Sequence, residues 1–255
     1  MSLEMFSLKG KTALVTGGSR GIGAAICESL AEAGADVAVV SRKVEKCELV
    51  AEKVRAKGAR AIAGGAHVGK TDDCRRAVEA TVQAFGGIDI LVNNAATNPV
   101  FGPSADCSDD AFDKIFAVNV KGPFMLTKLV VPHMEKRGGG AIVNIVSVAG
   151  LVPAPMIGVY SMSKAALIHQ TKTFAKELGV YGIRVNAVAP GLVKTDFSRA
   201  LWEAEEMIKE FLGKQPIQKL AEPKDICGAV VFLASPASAL MTGSVVVVDG
   251  GQLTG

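Results

Sequence analysis

Short apolar runs alternate with longer amphipathic stretches from residue 11 onward. TALVTG (12–17) precedes a helical pattern over about 21–33, DVAVVS (36–41) one over about 44–57, and RAIAGGA (60–66) one over about 72–85. IDILVNN (88–94) leads into a long helical pattern over about 109–137, and AIVNIVS (141–147) into a helix bearing Tyr160 and Lys164. IRVNAVAP and SVVVVDGG close the series. A strand wetted on one face alternates polar and apolar residues, whereas ALVT, VAVV, ILV, AIVNIV and VVVV are nearly all apolar. Such runs predict a mostly parallel sheet covered by helices on both faces. The expectation is one doubly wound α/β domain over residues 1–255, with seven strands. Gly34 and Gly58 fall where helices end, and Ser108-Asp109 where one begins.

Composition changes this picture little. The 255 residues are 49% hydrophobic, a length and content that suit one large α/β core. The formal charge of +3 is spread without blocks, so a small molecule is expected as ligand rather than nucleic acid. Cys27, Cys47, Cys74, Cys107 and Cys227 form no CxxC pair and read as reduced, inert thiols. His67, His133 and His169 form no ligand pattern, and no metal is expected. Two stretches without a charged residue, Gly138 to Ser163 and Ile226 to Val248, are long enough to span a membrane. Pro153 and Pro155 interrupt the first, and Ser235-Pro236 and Thr242-Gly243 the second, so both read as buried elements joined by turns. With no signal-like start and no address in Gln252-Leu253-Thr254-Gly255, a cytoplasmic location is the expectation.

The chemistry concentrates at strand ends. TGGSRGIG places Gly17, Ser19, Arg20, Gly21, Ile22 and Gly23 between the first strand and its helix. Glycines there let backbone approach a pyrophosphate, and the helix N-terminus supplies N–H donors, so a Rossmann-type dinucleotide site is predicted. An acidic residue at the end of the second strand would favour NAD. The chain has Ser41, Arg42 and Lys43 instead, with Arg20 in the loop, which predicts NADP(H) over NAD(H). The competing reading makes these solvated residues at a helix start.

Tyr160 and Lys164 lie four apart on one helical face, so the ammonium can favour the phenolate. Bringing a phenol from ~10 to neutrality asks about 4 kcal/mol of electrostatic help. Ser147, at a strand end, can donate to the oxygen that the tyrosine approaches. Alone, such a pair also fits an ordinary amphipathic helix. The irregular segment 191–213, with the only tryptophan, Trp202, is expected over the mouth of the sheet, where Leu192, Phe197 and Trp202 could line a substrate pocket. Val148, Ala149, Ala154 and Ile157 complete that expected lining, with Phe101 a further candidate. Their apolar character favours a ketone, aldehyde or diketone with hydrophobic substituents. A surface helix anchored by Trp202 is the alternative.

TGGSRGIG, NNAA (93–96), Asn119, Ser147, YSMSK, and Pro190-Gly191 followed by Thr195 together resemble the short-chain dehydrogenase/reductase family over essentially the whole chain. The resemblance implies reversible hydride transfer between NAD(P)(H) and a carbonyl or alcohol. In it Tyr160 is the general acid or base, Lys164 lowers its pKa and holds the nicotinamide ribose, Ser147 polarises the carbonyl, and Asn119 holds a water relaying protons to Lys164. It further implies that Asn94 and Ala95 pass close to the cofactor and that Val193 and Thr195 meet the carboxamide. A homotetramer or dimer is implied, with 109–137 and 157–178 against a partner. Two departures stand out: His67-Val68 where many members carry Asp-Val facing adenine, and Ala96 where many carry glycine. The imidazole is expected to accept or stack. Residues 94–102, 130–140 and 189–202 look like the NADPH-dependent carbonyl/retinal reductase branch found in peroxisomes, without its Ser-Arg-Leu type tail. A 3-oxoacyl-[acyl-carrier-protein] reductase is the rival, weakened by Tyr181 where such enzymes often present a basic residue, although Arg137 lies nearby. A dinucleotide-sensing protein without turnover would ordinarily lack Tyr160 or Lys164.

Overall fold

A computed structural model describes residues 3–213 and 215–254. Met1, Ser2, Lys214 and Gly255 lie outside the described residues, and with them the first and last positions of the two termini read above. The strands are β1 (Thr12–Thr16), β2 (Asp36–Ser41), β3 (Ala61–Gly65), β4 (Ile90–Asn93), β5 (Gly140–Ile145), β6 (Ile183–Pro190) and β7 (Val245–Val248). They form one sheet in the order β3-β2-β1-β4-β5-β6-β7. Every pairing in it is parallel, so "mostly" in the sequence expectation becomes "entirely".

Successive side chains of a strand point to opposite faces, and in the inner strands both faces are dry while the edge strands β3 and β7 are half-buried. Ala13, Val15, Val37, Val39, Ile90 and Val92 pack with Ile26 and Leu30 of α1 (Gly21–Glu32), Val50 and Val54 of α2 (Val44–Ala56), and Ile226 and Val230 of α9 (Pro223–Ala234). Leu14, Ala38, Val40 and Leu91 pack on the other face with Val78 of α3 (Thr71–Phe85), Leu126 and Val130 of α5 (Gly122–Lys136), and Ala175 of α6 (Gly158–Leu178). Each buried branched side chain is worth roughly 1.5–3 kcal/mol. That double burial explains why the strands carry no polar alternation. Strand order reverses between β1 and β4, and the C-terminal ends of these strands flank the crevice where such sheets bind ligands.

The charge-free stretches resolve as expected: the first becomes β5 and the start of α6, the second α9, a turn and β7. Ser108 caps α4 (Asp109–Phe116) by accepting from the Ala111 N–H at 3.3 Å. The predicted helix over 109–137 is continuous but not uniform. A π turn, Ala117–Lys121, joins α4 to α5. The whole of Asp109–Lys136 is long and apolar enough to cross a membrane, but nearly half of its most apolar window is buried inside the fold.

Candidate active site

Tyr160 and Lys164 rise from the first turns of α6, and Ser147 stands two residues past the end of β5. The Ser147 hydroxyl accepts from the Ala149 N–H at 3.1 Å. Tyr160 is buried, and burial pushes its pKa up to about 12, with the neighbouring Ser147 hydroxyl acting the other way. Lys164 is 2% exposed; its Nζ donates to the Ile145 carbonyl at 2.7 Å and lies 5.6 Å from the centre of the Tyr160 ring. Burial lowers its pKa to about 7. Desolvation is the first cause of both shifts, neither draws on the other group, and each leans toward its neutral form, the opposite direction from the expected acidified phenol.

Asn119 is fully buried in the π turn. Its Oδ1 accepts from the Thr97 N–H at 2.8 Å, and its Nδ2 donates to the Thr97 carbonyl and to Ser163 Oγ, both at 3.0 Å. Ser163 Oγ in turn donates to the Tyr160 carbonyl at 2.7 Å. Both hydrogens of this side-chain amide are engaged by protein. It ties the loop after β4 to the helix carrying Tyr160.

The glycine loop runs between β1 and α1. Gly17 adopts φ +64°, and a Cβ on Gly23 would sit 2.2 Å from the Gly17 carbonyl, so only glycine lets α1 close onto the loop. No side chain caps α1 at Arg20, which leaves the first-turn N–H groups of Gly21, Ile22 and Gly23 without a side-chain acceptor. The Thr16 hydroxyl accepts from the N–H groups of Asn94 and Ala95 at 3.1 Å each, and Asn94 Nδ2 donates to the Thr16 carbonyl at 2.9 Å, drawing the loop after β4 against the glycine loop. Bare backbone and an uncapped helix start fit a dinucleotide pyrophosphate. Ser19 belongs to the same loop.

Arg42 and Lys43 are exposed at the end of β2. Arg20 instead reaches across the crevice to Asp196 at 3.2 Å, a surface pair that occupies one of the three expected cations. Next to the buried Val68, His67 Nδ1 accepts from the Gly69 N–H at 3.1 Å, and its backbone N–H donates to Asp73 at 2.8 Å. The expected imidazole acceptor is already used, and Nε2 remains.

Beyond Pro190 and Gly191 the chain crosses the mouth of the crevice. Leu192 and Val193 are buried, and Val193 pairs with Ala221. A Cβ on Gly21 would meet the Thr195 methyl at 3.3 Å, so the glycine leaves a gap there. The Phe197 ring, half exposed, lies 5.8 Å from the Tyr160 ring at a 47° tilt. Trp202, in the short helix α7 (Arg199–Trp202), donates its indole N–H to the Thr195 carbonyl at 2.9 Å, with Lys194 Nζ 5.2 Å from its ring. The tryptophan anchors the segment while Phe197 faces the tyrosine. The remainder of the segment forms α8 (Glu205–Gly213).

Of the remaining expected lining, Val148 and Ala149 are buried beside Ser147, whereas Ala154 and Ile157 are half-buried. Met156, between them, has φ +68°, and its carbonyl accepts from the Gly102 N–H at 2.8 Å. Thr16, Thr97, Ser163 and Asp196 escaped sequence reading; each acts through a partner distant in the chain. A cavity of about 470 Å³ opens at the opposite end of the sheet, beside Asp89, Arg137 and Arg184, and does not reach Tyr160.

The family model described as enoyl-(acyl carrier protein) reductase matches residues 17–252. Dehydrogenase/reductase SDR family member 4 of Homo sapiens is 47% identical over 247 residues, covering 96% of this chain and 88% of the human protein. Its Caenorhabditis elegans counterpart is 42% identical, covering 95% of each. Gluconate 5-dehydrogenase of Burkholderia cenocepacia, solved with NADP and tartrate, superposes with a TM-score of 0.96 at 34% identity over the full length of both chains. A 7α-hydroxysteroid dehydrogenase solved with NADH and 7-oxo glycochenodeoxycholic acid gives 0.95 at 33% identity, covering 98% of this chain and 97% of its own. With the parallel sheet, the bare glycine loop and the Ser147–Tyr160–Lys164 cluster at its C-terminal edge, this chain belongs to the short-chain dehydrogenase/reductase family of NAD(P)-using oxidoreductases that act on small molecules.

Proposed function

We propose that the protein is an NADP(H)-dependent reductase that interconverts an apolar carbonyl compound and its secondary alcohol, with Tyr160 as proton donor and acceptor. The observation that carries this reading is the buried Tyr160 phenol beneath Phe197, with Lys164 Nζ 5.6 Å from its ring and Ser147 beside it. A phenol held protonated by burial is matched to giving a proton to a nascent alkoxide. Bound at the glycine loop, the cofactor supplies or removes hydride. In reduction, Tyr160 Oη passes its proton to the carbonyl oxygen as the carbon gains hydride, and Ser147 Oγ stabilises the charge on that oxygen. Lys164 would hold the nicotinamide ribose hydroxyls, and Asn119 fixes the backbone of Tyr160 through Ser163. Solved relatives hold NADP in one case and NADH in another. Ser41, Arg42 and Lys43, with no carboxylate among them, favour the phosphorylated form.

Tyr160→Phe should keep NADPH affinity and lose turnover; retained activity contradicts the assigned donor. NADPH and NADH consumption with aromatic ketones, α-diketones, retinal and acetoacetyl thioesters separates the substrate readings, and no oxidation of NADPH against the whole panel would favour a sensing protein. The acyl-carrier reading draws on the description of the family model. Against it, Tyr181 is half exposed, and Arg137 is committed to the buried Asp89 carboxylate at 2.9 Å. A homotetramer is proposed on the exposed Phe112 and Phe124 of α4 and α5 and Met162 of α6, a monomer in light scattering being the contrary result. Residues 1–255 as one unfolding unit in calorimetry, and the cytoplasm for a tagged chain under the microscope, complete the proposal.

A further inference from the structure

The end of β2 carries a hydrogen-bond arrangement that its charges alone do not explain. Ser41 Oγ accepts from the Cys47 thiol at 3.1 Å and from the Lys43 backbone N–H at 3.4 Å. Its own proton faces the Lys43 carbonyl at 3.5 Å, the outer limit of a hydrogen bond. A hydroxyl oxygen offers two lone pairs and one proton. With both lone pairs engaged, the only capacity Ser41 retains toward a ligand is that of a donor. Cys47 lies in the first turn of α2 and is fully buried. Desolvation raises its pKa, so the sulfur keeps its proton at neutral pH.

We propose that Cys47 is a positioning residue for the 2′-phosphate of the cofactor: by filling a lone pair of Ser41 Oγ from below, it turns that hydroxyl into an outward donor. The inference rests on the NADP(H) reading given above. A phosphate oxygen can only accept, so a fixed donor favours it, while a ribose hydroxyl both donates and accepts and gains less from the fixed orientation. Arg42 and Lys43 supply charge there; the thiol supplies direction.

The test is calorimetric titration of the cofactor-free full-length protein with NADPH, NADH and 2′,5′-ADP, which reads binding without turnover. Cys47→Val should weaken NADPH and 2′,5′-ADP by about 3- to 10-fold, the range of one net hydrogen bond, and NADH by less than about twofold. Cys47→Ser, which keeps a donor, should stay within about twofold of the unsubstituted protein for all three ligands. Combined with Ser41→Ala, Cys47→Val should add nothing further. Cys47→Ala gives the same test if valine is not accommodated. Equal weakening of all three ligands, no weakening, or a serine variant that behaves like the valine one overturns the inference. If the unsubstituted protein binds NADH as tightly as NADPH, the NADP(H) reading fails first and takes this inference with it.

Discussion

Lys164→Met should flatten the pH dependence of stability of the cofactor-free protein. In the folded chain burial holds the Lys164 amine at about 7, against 10.5 for a free lysine, and no carboxylate offsets it. At 1.36 kcal/mol per pH unit, this difference corresponds to a burial penalty on the order of 5 kcal/mol. Below about pH 7 the amine is charged in both states, and the whole penalty weakens the fold. Above about pH 10.5 it is neutral in both, and the penalty is gone. Between these limits unfolding takes up a proton, so stability rises with pH. Tyr160 opposes this only above about pH 10, where the unfolded phenol ionises before the buried one at about 12. Methionine keeps the aliphatic stem without a titrating group. Urea unfolding at intervals from about pH 6 to about pH 9.5 should show the stability of the unsubstituted protein rising relative to the variant by up to about 1.4 kcal/mol per unit above pH 7. Parallel curves for the two proteins would refute the reasoning, because they would mean that the folded amine titrates as it does in water.

Two further substitutions test the walls of the crevice. Met156 is the single non-glycine with positive φ among the described residues, and it is 42% exposed, so Met156→Gly should relieve about 1 kcal/mol of strain and raise Tm by about 2–4 °C in calorimetry; a lower Tm would show that the thioether packs more tightly than its exposure implies. Phe197→Ala removes the ring beside Tyr160 and should raise KM for an aromatic ketone by about 2- to 10-fold with a smaller effect on kcat; an unchanged KM would exclude Phe197 from the pocket.

The sheet was legible because its inner strands are buried on both faces, where a run such as VAVV belongs. The glycine loop was legible for a similar reason: Gly17 and Gly23 meet steric demands that no other residue satisfies. The π turn at 117–121 was not. Its AVNVK sequence has no proline or glycine, and its most specific contacts, from Asn119 to Thr97 and Ser163, arise only after β4 and α6 are in place. The four-residue spacing of Tyr160 and Lys164 gave their shared face but not the depth at which they sit, and depth decides their protonation. Trp202 was legible as an element of the crossing segment; its bond to the Thr195 carbonyl, and the reach of Arg20 to Asp196, depend on tertiary closure.

An ordinary helical turn spends 3.6 residues, and a π turn about one more. The turn between Phe116 and Gly122 therefore takes up one residue more than a regular helix would, without displacing the helix that follows. Shortening the chain there by one would let the turn close to ordinary helix with Leu126, Val130 and Met134 still against the sheet, but would carry Asn119 away from Thr97, although no side-chain chemistry had been altered. Here arithmetic constrains the protein as chemistry does: one surplus residue, spent in a single turn, puts an amide where the loop after β4 can grip it.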